Sequence, residues 1–193
     1  MRVTPAMSQP AELICNAAAP SRIVRGIDAS VLCDEAKALK LTYRLMANME
    51  QLSIPAPTAP RRADGLWQHT CFEAFIGTKE SPAYYEFNFA PSGEWAAYGF
   101  SGYRDGGPLA GEMVAPDILV RKSAGHLELA ATVRLGHLPL VRSAMFLRLG
   151  LSVVIEETDG TRSYWALNHP AEKPDFHHPD SFALELALAD QSA

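Results

Sequence analysis

The sequence predicts an all-β protein, an antiparallel sandwich of two sheets with very little helix. Apolar residues recur with a period of two in several segments, as at Leu39, Leu41, Tyr43 and Leu45, and this period is typical of half-buried strands. Turn-forming residues separate these segments. The segments do not alternate with amphipathic helices, which excludes a parallel α/β sheet.

Individual elements follow from the same alternation. Strands are predicted at 39–45, 84–89 and 127–135, and further strand-like segments at 145–156 and 182–188. Segment 71–76 is apolar on both faces and is predicted to be a central strand. Turns are predicted at 90–93, 103–108 and 159–160. Residues 47–52 are compatible with one helical turn.

The chain of 193 residues is long enough for one domain with a substantial core. We expect a single sandwich domain over residues 13–188. Residues 1–12 are rich in Ala and Pro and are expected to be loosely ordered, and residues 189–193 are expected to form a short tail.

Composition and charge exclude several classes of function. The net charge is -5 and the cations are scattered, whereas nucleic acids and anionic membranes select clustered Lys and Arg. The longest apolar stretch, 149–155, is too short to span a membrane. The N-terminus lacks the apolar core of a signal peptide, and three cysteines without metal-ligand spacing suggest reduced, buried thiols in the cytoplasm.

No nucleotide-binding, zinc-protease or nucleophile-elbow motif occurs in the chain. Glu73 and Glu86, on neighbouring predicted strands, are a candidate acid and base pair. The alternative, which we favour, is that they form hydrogen bonds with arginines or with a polar ligand.

The loop at 173–182 places four potential metal ligands close together: Asp175, His177, His178 and Asp180. This density is compatible with a transition-metal site. However, adjacent residues of an extended chain point to opposite sides. We therefore favour a rigid loop in which Asp175 accepts hydrogen bonds, Phe176 anchors the loop in an apolar pocket, and at least one histidine, assigned to His177, lines a binding site.

Trp67 and Trp165 lie outside the alternating core set, near polar residues. An exposed indole can stack on the apolar face of a sugar ring, while Glu, Asn and Arg side chains bind the hydroxyl groups. The alternative for each tryptophan is that it plugs one end of the sandwich. Trp95 follows a turn, alternates with Ala97 and fits this second role best.

The segments 66–76 (LWQHTCFEAFI) and 84–95 (YYEFNFAPSGEW) resemble the DOMON-like superfamily. More closely, they resemble a bacterial group in it that is related to family 9 carbohydrate-binding modules. The shared pattern is a Trp, an acidic residue six positions later, and an aromatic strand that ends in Pro-x-Gly. The similarity extends over about 13–188.

The resemblance implies a jelly-roll sandwich without a catalytic centre, in which two tryptophans clamp a sugar. Trp67 and Glu73 match the first part of the sugar-binding pattern. Trp165 and Asn168 match the second part, and Arg104 is assigned the role of the arginine. The sequence departs from the pattern at His69 and Thr70 and in the loop at 173–182, which contains His177 and His178.

Other DOMON relatives bind haem through a Met and a His, for which the candidates here are Met46, Met113 or Met145 with His126 or His169. The chain has no c-type attachment motif and no Asp-rich calcium loop. We expect no cofactor, with haem, calcium or a transition metal left open.

The expected function is a cytoplasmic, non-catalytic module that binds a small sugar-like ligand. The alternatives are a metalloprotein or enzyme that uses the loop at 173–182, and a haem-binding protein.

Overall fold

A computed structural model describes residues 6–7, 10–109, 114–142 and 144–188. Within them, fourteen strands form two sheets. Sheet A has six strands: β1 (Ala6–Met7), β2 (Ala11–Glu12), β4 (Val24–Cys33), β5 (Ala38–Ala47), β10 (Asp117–Lys122) and β11 (His126–Arg134). Sheet B has eight: β3 (Ile14–Cys15), β6 (Cys71–Gly77), β7 (Tyr84–Phe89), β8 (Trp95–Gly102), β9 (Asp105–Pro108), β12 (Phe146–Glu156), β13 (Arg162–Ala166) and β14 (Leu184–Ala187).

Every pairing between these strands is antiparallel. Sheet A runs in the order β1-β4-β5-β11-β10, with β2 also paired to β4, and sheet B runs β3-β13-β12-β6-β7-β8-β9, with β14 paired to β12. The two-sheet, all-β fold class predicted from the sequence is therefore confirmed.

Helical structure in the described part of the chain is confined to short turns. They are α1 (Pro139–Arg142) and 3₁₀ turns at Met49–Gln51, Leu66–Gln68, Leu135–His137 and Pro179–Ser181. The first of the 3₁₀ turns lies where the sequence predicts one helical turn. Among the described residues, no helix is long and apolar enough to cross a membrane.

The core lies between the inner faces of the two sheets. Strands β5 and β11 of sheet A alternate inward apolar residues with outward polar ones, as their sequence period requires. Tyr43 is fully buried, and its hydroxyl donates to the carbonyl oxygen of Glu73 across the interface at 2.7 Å. Strand β6 is buried along its whole length, which confirms its predicted central position.

Strand β4 was not predicted, although it is one of the long strands. A bulge between Val24 and Gly26 shifts its register with β5, and this shift disturbs the period-two pattern at its start. β2 pairs with β4 inside the N-terminal segment that is expected to be loosely ordered. Residues 1–5 and 189–193 lie outside the described residues.

One edge of β12 receives two different strands. β14 pairs with Phe146–Leu149, and β13 pairs with Ser152–Glu156 of the same edge. The chain between them, residues 167–183, therefore leaves the sheet and returns to it only a few residues away along β12. This segment, which we call the cover loop, packs on the outer face of sheet B: a Cβ added at Gly150 would lie 3.3 Å from the carbonyl oxygen of Ser181.

All three cysteines are described and none forms a disulfide. Cys33 and Cys71 are buried, and Cys15 is half-buried.

Candidate functional site

A cleft of about 440 Å³ opens on the outer face of sheet B, beside the cover loop. Residues of β6, β7, β8, β12 and β13 form its floor and part of its walls, and the 3₁₀ turn at Leu66–Gln68 and the cover loop complete it. The lining residues are Trp67, Glu73, Phe75, Glu86, Tyr98, Phe100, Arg104, Val154, Arg162, Tyr164, Pro174, Phe176 and His177.

Two carboxyl groups lie in the floor of the cleft. Phe75 of β6 stands opposite Glu86 of β7, so Glu73, two residues before Phe75, is diagonal to Glu86 on the same face. Only 2% of Glu73 and 6% of Glu86 are exposed. The Ser152 hydroxyl donates to Glu73 Oε2 at 3.0 Å, and the Asn88 amide donates to Glu86 Oε1 at 2.7 Å.

Burial makes these carboxyl groups hard to ionise. It raises the pKa of Glu73 to about 8, with a further contribution from the negative charge of Glu86 and opposition from the Ser152 hydrogen bond. Burial also raises the pKa of Glu86, while the Asn88 hydrogen bond and the charge of Arg104 act in the opposite direction. The pair therefore retains a proton near neutral pH.

Aromatic side chains form much of the walls. Trp67 is 51% exposed, so its indole presents an open apolar surface. Gly65, with a φ of 76°, adopts the left-handed conformation at the start of the turn that carries Trp67. The other aromatic walls are Tyr98 and Phe100 from β8, Tyr164 from β13, and Phe176 from the cover loop.

The segment before Trp67 is tied to the wall of the cleft. Arg62 donates two hydrogen bonds to the Asp64 carboxylate, at 3.0 and 2.8 Å, and the Tyr98 hydroxyl donates to the same carboxylate at 2.8 Å. The Arg62 guanidinium also lies 5.8 Å from the centre of the Tyr98 ring. These contacts fix the orientation of Tyr98 relative to the turn.

Asp175 holds the cover loop against the β8–β9 hairpin. The Tyr103 hydroxyl donates to Asp175 Oδ2 at 2.6 Å, and Arg104 Nη2 donates to Asp175 Oδ1 at 2.8 Å. Burial opposes ionisation of Asp175, but these two hydrogen bonds outweigh it and lower the pKa. The hydrogen bonds predicted for Asp175 are thus present, with an arginine as one donor.

Arg104 reaches this contact from an unusual backbone conformation. Its φ is 55°, in the left-handed region. The Tyr84 hydroxyl accepts the Arg104 backbone N–H at 3.1 Å. This hydrogen bond helps to hold the turn that carries the guanidinium.

His177 is packed between aromatic rings at the side of the floor. Its ring centre lies 5.1 Å from that of Phe75 and 5.2 Å from that of Phe100. Burial lowers the pKa of His177 to about 4, with help from the charge of Arg104, so the imidazole is neutral near pH 7. Nδ1 forms a 2.8 Å hydrogen bond with the Tyr84 hydroxyl, and Nε2 lies 3.7 Å from Glu86 Oε2.

Four of the six residues predicted to bind a ligand line this one cleft: Trp67, Glu73, Arg104 and His177. Trp165 does not. It is 7% exposed and packs in the core between the sheets, where its indole N–H donates to Ser163 at 3.0 Å. The proposed pairing of Trp67 with Trp165 is therefore wrong, and the plugging role applies to Trp165.

Asn168 does not have its predicted ligand-binding role either. Its side-chain amide donates to the carbonyl oxygen of Asp180 at 3.0 Å, within the cover loop, and it is not among the residues that line the cleft. The amide that contacts a cleft residue is Asn88, which is fully buried and donates to Glu86.

The four potential metal ligands of the cover loop have separate roles. Asp175 binds Arg104 and Tyr103, His177 faces the cleft, and His178 Nδ1 accepts the Asp180 backbone N–H at 3.2 Å. Within the described ranges, no three His, Cys, Asp or Glu side chains are grouped to hold a metal ion. Phe176 is half-buried and packs near Tyr164 and His169.

Two of the three methionines named as candidate haem ligands lie among the described residues. Met46 and Met145 have exposed side chains, which does not suit a haem pocket. Met113 lies outside the described residues.

Tyr98, Phe100 and Tyr164 were missed by the sequence analysis, although the alternation contains the signal. Trp95 and Ala97 point into the core, so Tyr98 and Phe100 must point outward. In the same way, Tyr164 faces the cleft because its neighbour Trp165 faces the core.

The fold is shared with known carbohydrate-binding proteins. The structure is similar to a candidate carbohydrate-binding protein from Bacteroides uniformis, with a TM-score of 0.69, 15% identity, and coverage of 94% of this chain and 85% of that chain. It is also similar to a family 9 carbohydrate-binding module from Caldicellulosiruptor kristjanssonii in complex with cellotriose, with a TM-score of 0.58, 11% identity, and coverage of 94% and 84%.

A module of the same family and organism in complex with glucose gives a TM-score of 0.53 at 12% identity, over 94% of this chain and 86% of that chain. No protein-family model and no curated protein matches the sequence. At these identities, the comparisons establish that the chain has the β-sandwich fold of family 9 carbohydrate-binding modules.

Proposed function

We propose that the protein is a non-catalytic module that binds a carbohydrate or a sugar-like metabolite in the cleft on sheet B. One observation carries this proposal: the open indole of Trp67 lines the same cleft as the buried pair of Glu73 and Glu86. The structural neighbours that are named as carbohydrate-binding, or that hold cellotriose or glucose, support it through the common fold.

The chemistry of the cleft suits a sugar. The apolar face of a pyranose ring stacks on an indole, while its hydroxyl groups donate to carboxyl oxygens and accept from guanidinium groups. Trp67 offers the first contact, the Glu73 and Glu86 carboxyl groups the second, and Arg104 the third. With Trp165 in the core, Tyr164 and Phe176 are the aromatic residues that we assign to the remaining wall.

We assign the chain to the DOMON-like superfamily, with jelly-roll connectivity, on the sequence resemblance described above. We place the protein in the cytoplasm because its three cysteines are free thiols, which suit a reducing compartment. In that compartment, a soluble sugar, a sugar nucleotide or a cell-wall precursor fits better than an insoluble polysaccharide.

Tryptophan fluorescence tests the proposal directly. Trp95 and Trp165 are buried at 8% and 7% exposure, so a ligand in the cleft acts mainly on the emission of Trp67. Titration with a panel of monosaccharides and disaccharides should change this emission saturably. Trp67→Ala should remove the change and weaken binding, measured by calorimetry, at least tenfold, about 1.4 kcal/mol.

Phe146→Ala is the matched control, because Phe146 is an exposed aromatic residue that does not line the cleft. This variant should bind like the wild type. If no sugar of the panel binds, or if both variants lose binding equally, the proposed function is wrong.

A further inference from the structure

The cleft floor contains two buried carboxyl groups that retain a proton near neutral pH and, within the described residues, form no salt bridge with an arginine or lysine. Within the described part of the chain, Glu73 and Glu86 receive hydrogen bonds only from neutral donors, Ser152 and Asn88. The Ser152 hydroxyl occupies only Oε2 of Glu73, so Oε1 is available to a ligand in the cleft that Glu73 lines. Buried carboxylates are normally paired with a cation.

The cations near this pair do not fill that role. Arg104 lines the cleft, but its guanidinium is bound to Asp175 at 2.8 Å. His177 Nε2 lies 3.7 Å from Glu86, but the lowered pKa of His177 leaves the ring uncharged near pH 7. Arg162 also lines the cleft, and its side chain is exposed to solvent.

The walls give a second, independent indication of what would complete the floor. Aromatic faces carry partial negative charge and attract organic cations, and cages of several aromatic rings are a common way to bind ammonium groups. Six aromatic side chains line this cleft: Trp67, Phe75, Tyr98, Phe100, Tyr164 and Phe176.

We propose that the cleft selects a sugar that carries a free ammonium group, an amino sugar, over a neutral sugar of the same size. This inference rests on the proposed function and specifies its ligand class. The ammonium group lies over Glu73 and Glu86 and donates to Glu73 Oε1, the oxygen that Ser152 does not occupy. The sugar ring stacks on Trp67, and its hydroxyl groups face Arg104 at the rim.

Binding of an ammonium ligand should release the proton that the Glu73 and Glu86 carboxyl groups retain. In the free protein, the raised pKa of Glu73, about 8, keeps a proton on the two carboxyl groups at pH 7. An ammonium ligand favours the doubly ionised pair, so this proton passes to the buffer when the ligand binds. The titratable and charged groups around the pair are of three kinds. Burial, together with the negative charge of the pair, raises the pKa values of Tyr43, Cys71, Tyr84 and Tyr98. The charge of Arg104 opposes the rise that burial causes in the pKa of Glu86, and His177 Nε2 lies 3.7 Å from Glu86 Oε2.

Calorimetry with glucosamine, N-acetylglucosamine and glucose tests the inference on the wild-type protein. Glucosamine should bind at least tenfold more tightly than either neutral sugar at pH 7. Its binding heat should differ between phosphate and Tris buffers, which have different ionisation enthalpies, because a proton is released. The heats of the neutral sugars should agree between the two buffers.

Substitutions of Glu73 and Glu86 test whether the preference for glucosamine comes from the carboxyl groups in the cleft floor. Glu73→Gln and Glu86→Gln should reduce the preference for glucosamine to less than threefold and abolish the buffer dependence of its heat. Glu128→Gln makes the same chemical change on the outer face of sheet A, where Glu128 contacts Arg44 and Arg121, and should leave both quantities unchanged.

The outcomes separate the two proposals. Equal or weaker binding of glucosamine, compared with glucose, overturns the amino-sugar inference and leaves carbohydrate binding in place. A failure of all three sugars, together with the whole panel above, overturns both. If the preference survives in both floor variants, the ammonium group does not lie over the carboxyl pair and the inference is wrong.

Discussion

The outer face of sheet A is open and charged, whereas that of sheet B is partly covered and holds the cleft. In sheet A, strand β5 alternates buried residues with exposed or half-exposed ones, and its outward Arg44 binds Glu128 at 2.9 Å. In sheet B, strand β6 is buried on both faces. The two sheets share one core but differ in what lies outside them.

The cover loop accounts for this difference. It leaves β13 and returns as β14 on the same edge of β12, and its residues Phe176, His177 and Ser181 pack against the outer face of sheet B. By covering only part of the face, it removes water from Glu73 and Glu86 while leaving Trp67 open. Desolvated polar groups beside an open apolar surface are what a small-ligand site requires. Among the described residues, none of the buried Ser, Thr, Asn or Glu side chains lies in a strand of sheet A.

The inner and outer faces of sheet B should respond very differently to loss of a tryptophan. Trp165→Ala empties a core position and leaves Ser163 without its indole donor, so we expect a loss of about 3–5 kcal/mol in the free energy of unfolding. Chemical denaturation measures this loss. Trp67→Ala should cost much less, and a similar loss in both variants would contradict the assignment of their faces.

The stability of the wild-type protein should fall as the pH rises from about 6.5 to 8. The folded-state pKa of Glu73 is raised to about 8, so the folded state holds a proton that the unfolded state releases, and stability is lost as the pH rises through that value. The slope should be at most about 1.4 kcal/mol per pH unit. Below pH 6.5, His177 acts in the opposite direction, because its lowered pKa costs stability as the pH falls toward 4.

Denaturation of Glu73→Gln over the same range isolates this contribution. The variant should be less sensitive to pH than the wild type between pH 6.5 and 8, while Glu128→Gln on sheet A should retain the wild-type slope. Parallel curves for Glu73→Gln and wild type would show that Glu73 ionises normally in the folded state.

Asp175 provides the most direct way to loosen the cover loop. Asp175→Asn removes the charge that binds Arg104 and Tyr103, and we expect a loss of about 1 kcal/mol, because the partner guanidinium is half exposed. Hydrogen exchange at the cover-loop amides should increase, and sugar affinity should fall. Asp180→Asn, in the same loop but with an exposed carboxylate, is the control and should change neither.

The fold was largely predictable because period-two alternation survives wherever one face of a strand is buried. Strand β6 could be placed in the centre because both its faces are apolar. β4 was missed although burial alternates from Ile27 to Cys33, and its bulge disturbs the pattern only at the start. For the candidate site, Trp67, Glu73, Arg104 and His177 reach one cleft. The error at Trp165 is a shift of one residue: Tyr164 and Trp165 are adjacent and both aromatic, so either could have been assigned to the core.

The smallest expected effect concerns the outer face of sheet A. Glu128 bonds to Arg44 at 2.9 Å and lies 3.7 Å from Arg121, but both arginine side chains are mostly exposed. Water and salt screen such pairs, so Glu128→Gln should change the free energy of unfolding by less than about 1 kcal/mol. A larger loss, or a loss of sugar binding, would mean that sheet A acts on the cleft through the shared core and that the two outer faces are not independent.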